Sequence, residues 1–460
     1  MPAEQFEFAI IGGGKGGKSL AMKLASVGRR VVMVERAMIG GTCINVACIP
    51  TKTMVKSAKV AELARRAAEF GINVNFEGAS PEGVRKRKRE VVAGMVARNQ
   101  TAFDHSGMTL LIGNARFTGP RTFEVKLKDG ATRQITADKV FINTGTRPSH
   151  PSMPGLADAK PLDSESVQEL DRLPEHLIIL GAGYIGCEFA QVFRRFGSRV
   201  TLIDRGPRFL PREDADIANE LRGIFAEEQI EVITGATVSR IAGESGKQVK
   251  VTVSTESAER TIVGSDVMVA IGRVPNTEEL NLAATGVETD SRGFVKVNAK
   301  LETTAANVWA LGDVNGGPQF THASFDDFRI VYANLNGGNR TTTDRMMPYS
   351  LFTDPELGRV GLTEEEARKQ GKRIKTAKLP VSAIPRAVTM GETRGLMKAV
   401  IDADTNKILG VSILAAEGGE IVATVQMAML GGLPYTALRD VVIAHPTMTE
   451  GLNDLFARVE

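Results

Sequence analysis

Two of the three cysteines in the chain, Cys43 and Cys48, lie in one short segment with four residues between them. A Gly40-Gly41 pair precedes them and Lys52 follows. A helix passing through Cys43 would place Cys48 a little more than one turn further on, so a disulfide between them is sterically plausible. A helix start stabilises a thiolate, and Lys52 adds a cation nearby. The spacing is compatible with a redox pair, which the flanking residues favour. For a cysteine pair without these flanking residues, the alternative is two buried structural thiols.

A strand, a glycine turn and a helix are predicted just before the cysteine segment. Residues 6–11 are mostly apolar and indicate a buried strand. The pattern Gly-x-Gly-x-x-Gly follows on Gly12, Gly14 and Gly17, and a second strand ends at Glu35. In such a unit the helix N-terminus holds a pyrophosphate and the terminal acid holds an adenosine ribose. The segment therefore predicts a dinucleotide site.

The same pattern occurs a second time. Residues 177–180 predict a strand, Gly181, Gly183 and Gly186 form the turn, and the next strand ends at Asp204. In both segments the acid lies 23 positions after the first glycine. Two dinucleotide sites in one chain suggest two cofactors that exchange electrons, for which a nicotinamide and a flavin are the economical pair.

A rival interpretation concerns Gly12 to Ser19, which also fits the phosphate loop of nucleotide triphosphatases. Lys18 would then reach a terminal phosphate and Ser19 a magnesium ion. Glu35 and the cysteine segment favour the dinucleotide interpretation. Neither Lys15 nor Lys18 is therefore predicted to be catalytic.

Length, charge and composition limit the remaining possibilities. A chain of 460 residues predicts two to four domains, and its net charge of +3 gives no reason to expect a nucleic-acid or membrane partner. Residues 54–103 are predicted to be helical, and the basic run at 85–89 within them is interpreted as a solvated helix face. No signal peptide, membrane-length apolar run or resident metal site is expected, and an isolated cysteine pair suits a reducing compartment. We expect a cytoplasmic protein.

The segment Gly40–Lys52 resembles the redox-active segment of the flavin-dependent pyridine nucleotide-disulfide oxidoreductases, among them dihydrolipoamide dehydrogenase, glutathione reductase and mercuric reductase. The other motifs match this family in order along nearly the whole chain. The resemblance implies an α/β fold with two Rossmann-like dinucleotide-binding domains, similar to glutathione reductase, and a C-terminal α+β dimerisation domain. The domains implied are an FAD domain at 1–150 with a return segment at 271–343, an NAD(P) domain at 151–270 and an interface domain at 344–460.

The resemblance also implies which residues hold the two cofactors. For FAD they are Gly12, Gly14, Gly17, Glu35, Thr42, Lys52, Ala115, Thr144, Gly145, Asp313, Thr321 and His322. For NAD(P) they are Gly181, Gly183, Tyr184, Gly186, Asp204, Arg205 and Gly272. Tyr184 resembles the family's gate over the nicotinamide pocket, with simple packing as the alternative.

The catalytic residues implied by the resemblance begin with the two cysteines. Cys48 corresponds to the flavin-side thiol and Cys43 to the exchange thiol that meets the substrate. Lys52 would lie by the flavin N5 and pair with Glu188. A cation at this place favours arrival of the hydride, and the carboxylate holds the cation in position. A helix N-terminal acid stabilised by the dipole is the alternative for Glu188.

The end of the chain matches the family's His-Pro-Thr-x-x-Glu at His445 and Glu450. In the family this histidine, oriented by the glutamate, crosses a two-fold interface and serves as acid and base for the exchange thiol of the partner. The resemblance therefore implies a homodimer in which the two subunits share each active site.

The nucleotide and the electron acceptor are less narrowly defined by the sequence. Asp204 favours NADH because an acid repels a 2′-phosphate, while Arg205 and Arg208 could tolerate NADPH. The chain lacks the C-terminal cysteine pair of mercuric reductase. Segments at 209–214, 325–330, 379–387 and 445–456 are similar to the bacterial reactive-chlorine-resistance flavoproteins, which are associated with copper reduction.

We therefore expect a reductase of Cu(II), Hg(II) or an oxidant-related acceptor. The alternatives are a lipoamide dehydrogenase or other disulfide reductase and, from another class, a flavin-bearing interaction protein that senses oxidants through its cysteine pair.

Overall fold

The computed structural model describes residues 3–256, 258–343 and 345–460. The helices in chain order are α1 (Lys15–Ala25), α2 (Thr42–Asn45), α3 (Cys48–Arg65), α4 (Pro81–Asp104), α5 (Tyr184–Phe196), α6 (Ala215–Glu227), α7 (Thr321–Leu335), α8 (Glu364–Lys369), α9 (Pro385–Met390), α10 (Gly418–Leu430), α11 (Tyr435–Asp440) and α12 (Gly451–Ala457).

The strands in chain order are β1 (Glu4–Ile11), β2 (Val31–Glu35), β3 (Thr109–Gly119), β4 (Thr122–Leu127), β5 (Thr132–Ile142), β6 (Thr146–Pro148), β7 (His176–Leu180), β8 (Arg199–Ile203), β9 (Ile230–Ile233), β10 (Thr237–Glu244), β11 (Gln248–Ser254), β12 (Glu259–Gly264), β13 (Asp266–Val269), β14 (Arg273–Pro275), β15 (Val308–Ala310), β16 (Tyr349–Leu351), β17 (Glu356–Gly361), β18 (Ile374–Pro380), β19 (Leu396–Asp402) and β20 (Ile408–Ala415).

The chain divides into two compact units. The first comprises Met1–Thr53, Arg85–Ser149 and Gly272–Arg345. Its main sheet has β1 between β2 and β5 in parallel register, with β15 parallel on the other side of β5. Such parallel strands are buried on both faces, which explains the apolar, buried run of residues 8–11 at the end of β1. Apolar side chains of β1, β2, α1 and α7 form one core on this sheet.

The second unit comprises Met54–Val84, His150–Ile271 and Met346–Glu460. A parallel sheet in the order β13, β7, β8, β9 carries the second glycine turn, and β10, β11 and β12 form an antiparallel sheet. An antiparallel sheet in the order β16, β17, β20, β19, β18 lies in the last segment. Helix α10 packs its buried face into the core of that sheet.

The predicted helical stretch at 54–103 is interrupted in the structure. Helix α3 ends at Arg65, a 3-10 turn follows at Ala67–Phe70, and Gly71 adopts a left-handed conformation with φ of +72° before α4 begins at Pro81. Within the basic run, Lys88 is buried, so the interpretation as a solvated face was wrong at this position. None of the helices in the described ranges is long and apolar enough to cross a membrane.

Candidate active site

The first glycine turn is closed against the sheet and leaves no room for side chains. Gly12 has a left-handed φ of +106°, and a Cβ at Gly17 would lie 2.3 Å from the carbonyl oxygen of Gly12. A glycine at the third position therefore lets α1 pack closely behind β1. The turn presents backbone N–H groups at a helix start, which is the chemistry that a pyrophosphate requires.

Glu35 at the end of β2 is tied to this turn. Its Oε2 accepts a hydrogen bond of 2.8 Å from the amide of Gly13, and its Oε1 accepts bonds of 2.9 Å from the amides of Ala37 and Met38. The carboxylate is thus fixed at the position where the fingerprint places the ribose-binding acid.

Asn143 completes the same turn and was not singled out from the sequence. Its Nδ2 donates to the carbonyl oxygen of Gly12 at 3.2 Å, and a Cβ at Gly14 would lie 2.9 Å from the same nitrogen. The amide of Gly16 donates to Ser324 Oγ at 3.1 Å. The position of Asn143 directly after the buried strand β5 was the available signal, because parallel strand ends meet at one edge.

Other residues expected at the flavin lie around this edge. Ala115 is buried in β3, and Asn276 donates to the backbone carbonyl oxygens of Thr144 and Gly145 at 2.9 and 3.0 Å. The hydroxyl oxygen of Thr144 is buried and has no hydrogen-bond partner in the described residues. This unpaired hydroxyl oxygen and the first glycine turn fit a bound dinucleotide such as FAD.

Asp313 follows β15 and faces β6. Its Oδ2 accepts a hydrogen bond of 3.1 Å from the hydroxyl of Thr146, which in turn accepts one of 2.8 Å from Arg273 Nε. Burial raises the pKa of the Asp313 carboxyl, and the Arg273 charge opposes this rise. A buried carboxyl of this kind can accept hydrogen bonds from ligand hydroxyls.

The cysteine segment packs directly on the first glycine turn. Gly41 has a φ of +79°, and a Cβ at this position would lie 2.6 Å from the Cα of Gly14. Helix α2 begins at Thr42, and α3 begins at Cys48. The two cysteines do not share one helix: α2 ends at Asn45 and α3 begins at Cys48, so each thiol belongs to its own helix.

The two thiols lie in contact. Cys43 and Cys48 are both unbridged in this structure, and their thiols are hydrogen-bonded to each other. Cys48 Sγ also contacts Thr321 Oγ1, at the first residue of α7, at 3.4 Å. The bond to Cys48 and burial raise the pKa of Cys43 well above its usual range. Cys48 is the first residue of α3, and the unpaired N–H groups of a helix start favour a nearby negative charge.

Three further predicted residues lie within their own units. His322 stacks its ring on Phe320, with centroids 5.2 Å apart. Lys52 is half-buried in α3 of the first unit. Glu188 is buried in α5 of the second unit and accepts a hydrogen bond of 3.0 Å from the Phe352 amide. The pairing of Lys52 with Glu188 stays a prediction.

The second glycine turn is built like the first. Gly181 has a φ of +106°, and a Cβ at Gly186 would lie 2.0 Å from the carbonyl oxygen of Gly181. Asp204 accepts hydrogen bonds from the amides of Ala182 at 2.8 Å and Gly206 at 2.7 Å. This turn also has the geometry of a dinucleotide site.

The remaining residues expected at the nicotinamide nucleotide occupy different places. A Cβ at Gly183, the second glycine, would meet nothing within 4 Å. Arg205 is exposed directly after Asp204. Gly272 opens the last segment of the first unit, where its carbonyl oxygen accepts a hydrogen bond of 3.0 Å from the Ser149 amide.

Tyr184, the first residue of α5, belongs to a buried polar cluster that the sequence did not indicate. Its hydroxyl donates to Glu213 Oε1 at 2.6 Å, and the Tyr349 hydroxyl donates to the same oxygen at 3.0 Å. Arg359 donates to the Tyr349 hydroxyl at 2.8 Å. Burial and the Glu213 charge raise the pKa of Tyr184, so its hydroxyl stays protonated.

His445 and Glu450 form the contact that the family resemblance implied. His445 Nδ1 and Glu450 Oε2 are 2.9 Å apart, and the side chain of His445 is 69% exposed while that of Glu450 is 13% exposed. A carboxylate that holds one ring nitrogen leaves the other directed to an external group. The pair has the geometry of an oriented acid–base group.

Two family profiles match the chain. Residues 6–327 match the pyridine nucleotide-disulphide oxidoreductase family, and residues 347–456 match the dimerisation domain of that family. The predicted fold class is confirmed by these matches and by the structural likeness described next.

Among curated proteins, the chain is similar to the probable pyridine nucleotide-disulfide oxidoreductase RclA of Escherichia coli strain K12, with 42% identity over 99% of this chain and 100% of the relative. It is 35% identical to the mercuric reductase of Bacillus cereus, over 97% of this chain and 70% of the relative. A solved structure described as the Cu(II) complex of the HOCl-induced flavoprotein disulfide reductase RclA from Escherichia coli matches with a TM-score of 0.89, 41% identity and 99% coverage of both chains.

Proposed function

Since this chain belongs to the pyridine nucleotide-disulfide oxidoreductase family, we propose that it transfers electrons from NAD(P)H through FAD to a Cys43–Cys48 disulfide and onward to a thiophilic metal ion, foremost Cu(II). The observation that carries the proposal is the contact between the two thiols at the start of α3, beside Thr321. When bound, the flavin supplies the two-electron exchange between a nicotinamide and the dithiol.

The residues of the chain have distinct parts in this proposal. The first glycine turn, Glu35 and Asp313 hold the flavin nucleotide. The second turn and Asp204 hold the nicotinamide nucleotide, for which the acid favours NADH over NADPH. Cys48 holds the thiolate charge, and Cys43 is the thiol that meets the acceptor.

The dithiol step balances with copper as acceptor. Oxidation of the Cys43 and Cys48 thiols to a disulfide releases two electrons and two protons, and two Cu(II) ions take one electron each to become Cu(I). Thiolate sulfur binds Cu(I) well, which makes a cysteine pair suited to this reduction. The solved structure described as a Cu(II) complex of RclA is 41% identical to this chain, and it supports copper as the acceptor to test first.

We further propose that the active unit is a homodimer in which His445 manages the proton of the partner subunit's Cys43. The chain contains a segment that matches the family's dimerisation domain. Large apolar side chains are exposed in this segment: Met427 is 67% exposed, Leu430 58% and Val442 96%. Such residues are candidates for burial between subunits.

The His445–Glu450 pair also favours a second candidate function, reduction of a small disulfide. Thiol–disulfide exchange requires a proton for the departing thiol, and an oriented histidine can supply it. One-electron transfer to copper has no such leaving group.

The deciding experiment is an anaerobic titration of the FAD-loaded protein with NADH, followed by visible absorbance. We expect a long-wavelength band from the Cys48 thiolate that Cys48→Ser abolishes, and reoxidation by Cu(II) but not by lipoamide or glutathione disulfide. Cys187→Ser is the matched control because this third cysteine is buried in α5, and it should behave like the unmodified protein. Flavin reduction without any thiol involvement would refute the proposal, and reoxidation by a disulfide alone would favour the second function.

A further inference from the structure

Lys18 is a buried cation beside the redox segment for which the proposed electron transfer gives no role. It lies in α1, directly after Gly17, and only 8% of its surface is exposed. Moving an ammonium group out of water is costly unless charge or hydrogen bonding compensates. Its burial therefore needs a physical reason.

The Lys18 amine is anchored on α4. Its Nζ donates to Asn99 Oδ1 at 2.5 Å, and Asn99 Nδ2 donates to the Met95 carbonyl oxygen at 2.7 Å. The second bond turns the amide so that its oxygen faces the lysine. A Cβ at Gly40 would lie 3.4 Å from Asn99 Cγ, which places this anchor against the start of the cysteine segment.

The charge of Lys18 acts on Cys43. In the described part of the chain, the ionisable groups that act on the amine are Lys15 and Cys43, and no carboxylate pairs with it. Burial and repulsion by Lys15 lower the pKa of Lys18 to about 8, whereas the Cys43 charge opposes this change. Conversely, Lys18 counteracts the rise in the pKa of the Cys43 thiol.

We propose that Lys18 is a positioning residue whose fixed positive charge, held by Asn99, stabilises the thiolate form of the exchange thiol Cys43. This inference rests on the proposed function, in which Cys43 meets the acceptor. The proposal assigns to Cys43 a cation from its own subunit, in addition to the partner subunit's His445.

The test measures the reactivity of Cys43 alone. In a Cys48→Ser background with FAD bound, the rate of alkylation by iodoacetamide is followed against pH; Cys187 is fully buried and does not compete. We expect Lys18→Met to slow alkylation of Cys43 near neutral pH about tenfold, which corresponds to a rise of about one unit in its pKa. Lys18→Arg should retain most of the rate.

Lys15→Met is the matched control. This neighbouring cation lies on the same helix with its amine 4.4 Å from the centre of the Phe325 ring, and its removal should leave the Cys43 rate unchanged or slightly raised. If Lys18→Met does not retain FAD, Lys18→Gln replaces it with the same expected result.

An alkylation profile unchanged by loss of the Lys18 charge would overturn the inference, as would equal slowing by Lys15→Met. The proposed function would survive that outcome, because NADH titration of the two-cysteine protein tests it separately.

Discussion

The third glycine of each dinucleotide turn predicts a pair of substitutions that separate flavin binding from nicotinamide nucleotide binding. A Cβ at Gly17 would lie 2.3 Å from the Gly12 carbonyl oxygen, and one at Gly186 would lie 2.0 Å from that of Gly181. Both distances are far below the 3.0 Å that real Cβ atoms keep. In Gly17→Ala and Gly186→Ala, each helix must therefore move away from its turn by roughly 1 Å, and close-packed interiors resist such shifts.

The free-energy cost follows from overpacking. An added methyl group in a well-packed site costs about 1–3 kcal/mol. If the ligand requires the undistorted turn, this cost becomes a loss of affinity of about 5- to 150-fold. Gly17→Ala should lose FAD on exhaustive dialysis, measured as flavin absorbance per protomer. Gly186→Ala should keep FAD but bind NADH more weakly by that factor, measured by titration of flavin fluorescence.

Two exposed helix glycines serve as controls, one in each unit. A Cβ at Gly94 in α4 or at Gly223 in α6 would meet nothing within 4 Å. Both alanine variants should bind FAD and NADH normally and gain up to about 1 kcal/mol in the free energy of unfolding. The reasoning would be refuted if Gly186→Ala lost FAD as fully as Gly17→Ala, or if both variants bound their ligands like the unmodified protein.

Three other predictions concern buried charge. Glu213→Ala removes the acceptor of two tyrosine hydroxyls and the ion-pair partner of Arg359, whose side chain is 6% exposed. Urea unfolding should therefore show a free energy of unfolding lower by about 3 kcal/mol. A decrease below about 1 kcal/mol would contradict this expectation. Glu450→Gln weakens the orientation of His445, its hydrogen-bond partner. In stopped-flow assays it should slow disulfide reduction at least about tenfold and change Cu(II) reduction little, because only the disulfide needs a proton from the histidine. Equal slowing of both reactions would contradict this difference between the two acceptors. The hydrogen bond from Lys398 holds the pKa of Glu364 below its usual range, so the stabilisation that this bond gives is complete above about pH 4.3 and is lost as the pH falls through the lowered pKa. The free energy of unfolding of Lys398→Met should therefore change less between about pH 5 and pH 3 than that of the unmodified protein. An unchanged slope of this free energy against pH would refute the coupling.

The sequence predicted the parts of the site that depend on local spacing. Gly12, Gly17 and Glu35 form a turn whose geometry follows from a strand, a helix and the distance between them. The contact between His445 and Glu450, which lie five residues apart, was implied by the family resemblance of their motif. Local patterns of this kind survive folding because the backbone fixes them directly.

The parts that were missed depend on contacts between distant segments. Tyr349 meets Glu213 across 136 residues of sequence, and no periodicity relates them. The burial of Lys18 was not predicted, because its anchor Asn99 lies 81 residues further on. The break between α2 and α3 was missed because the cysteine spacing also fits a continuous helix.

Asp204 shows how such a turn can limit the evolution of cofactor preference. Its two carboxylate oxygens hold the amides of Ala182 and Gly206, so the acid is part of the scaffold of the turn. A mutation that removes it to admit a 2′-phosphate would also release two backbone donors. If the chain uses NADH, as proposed, a change to NADPH would be reached more readily by adding cations beside Arg205 than by losing the acid.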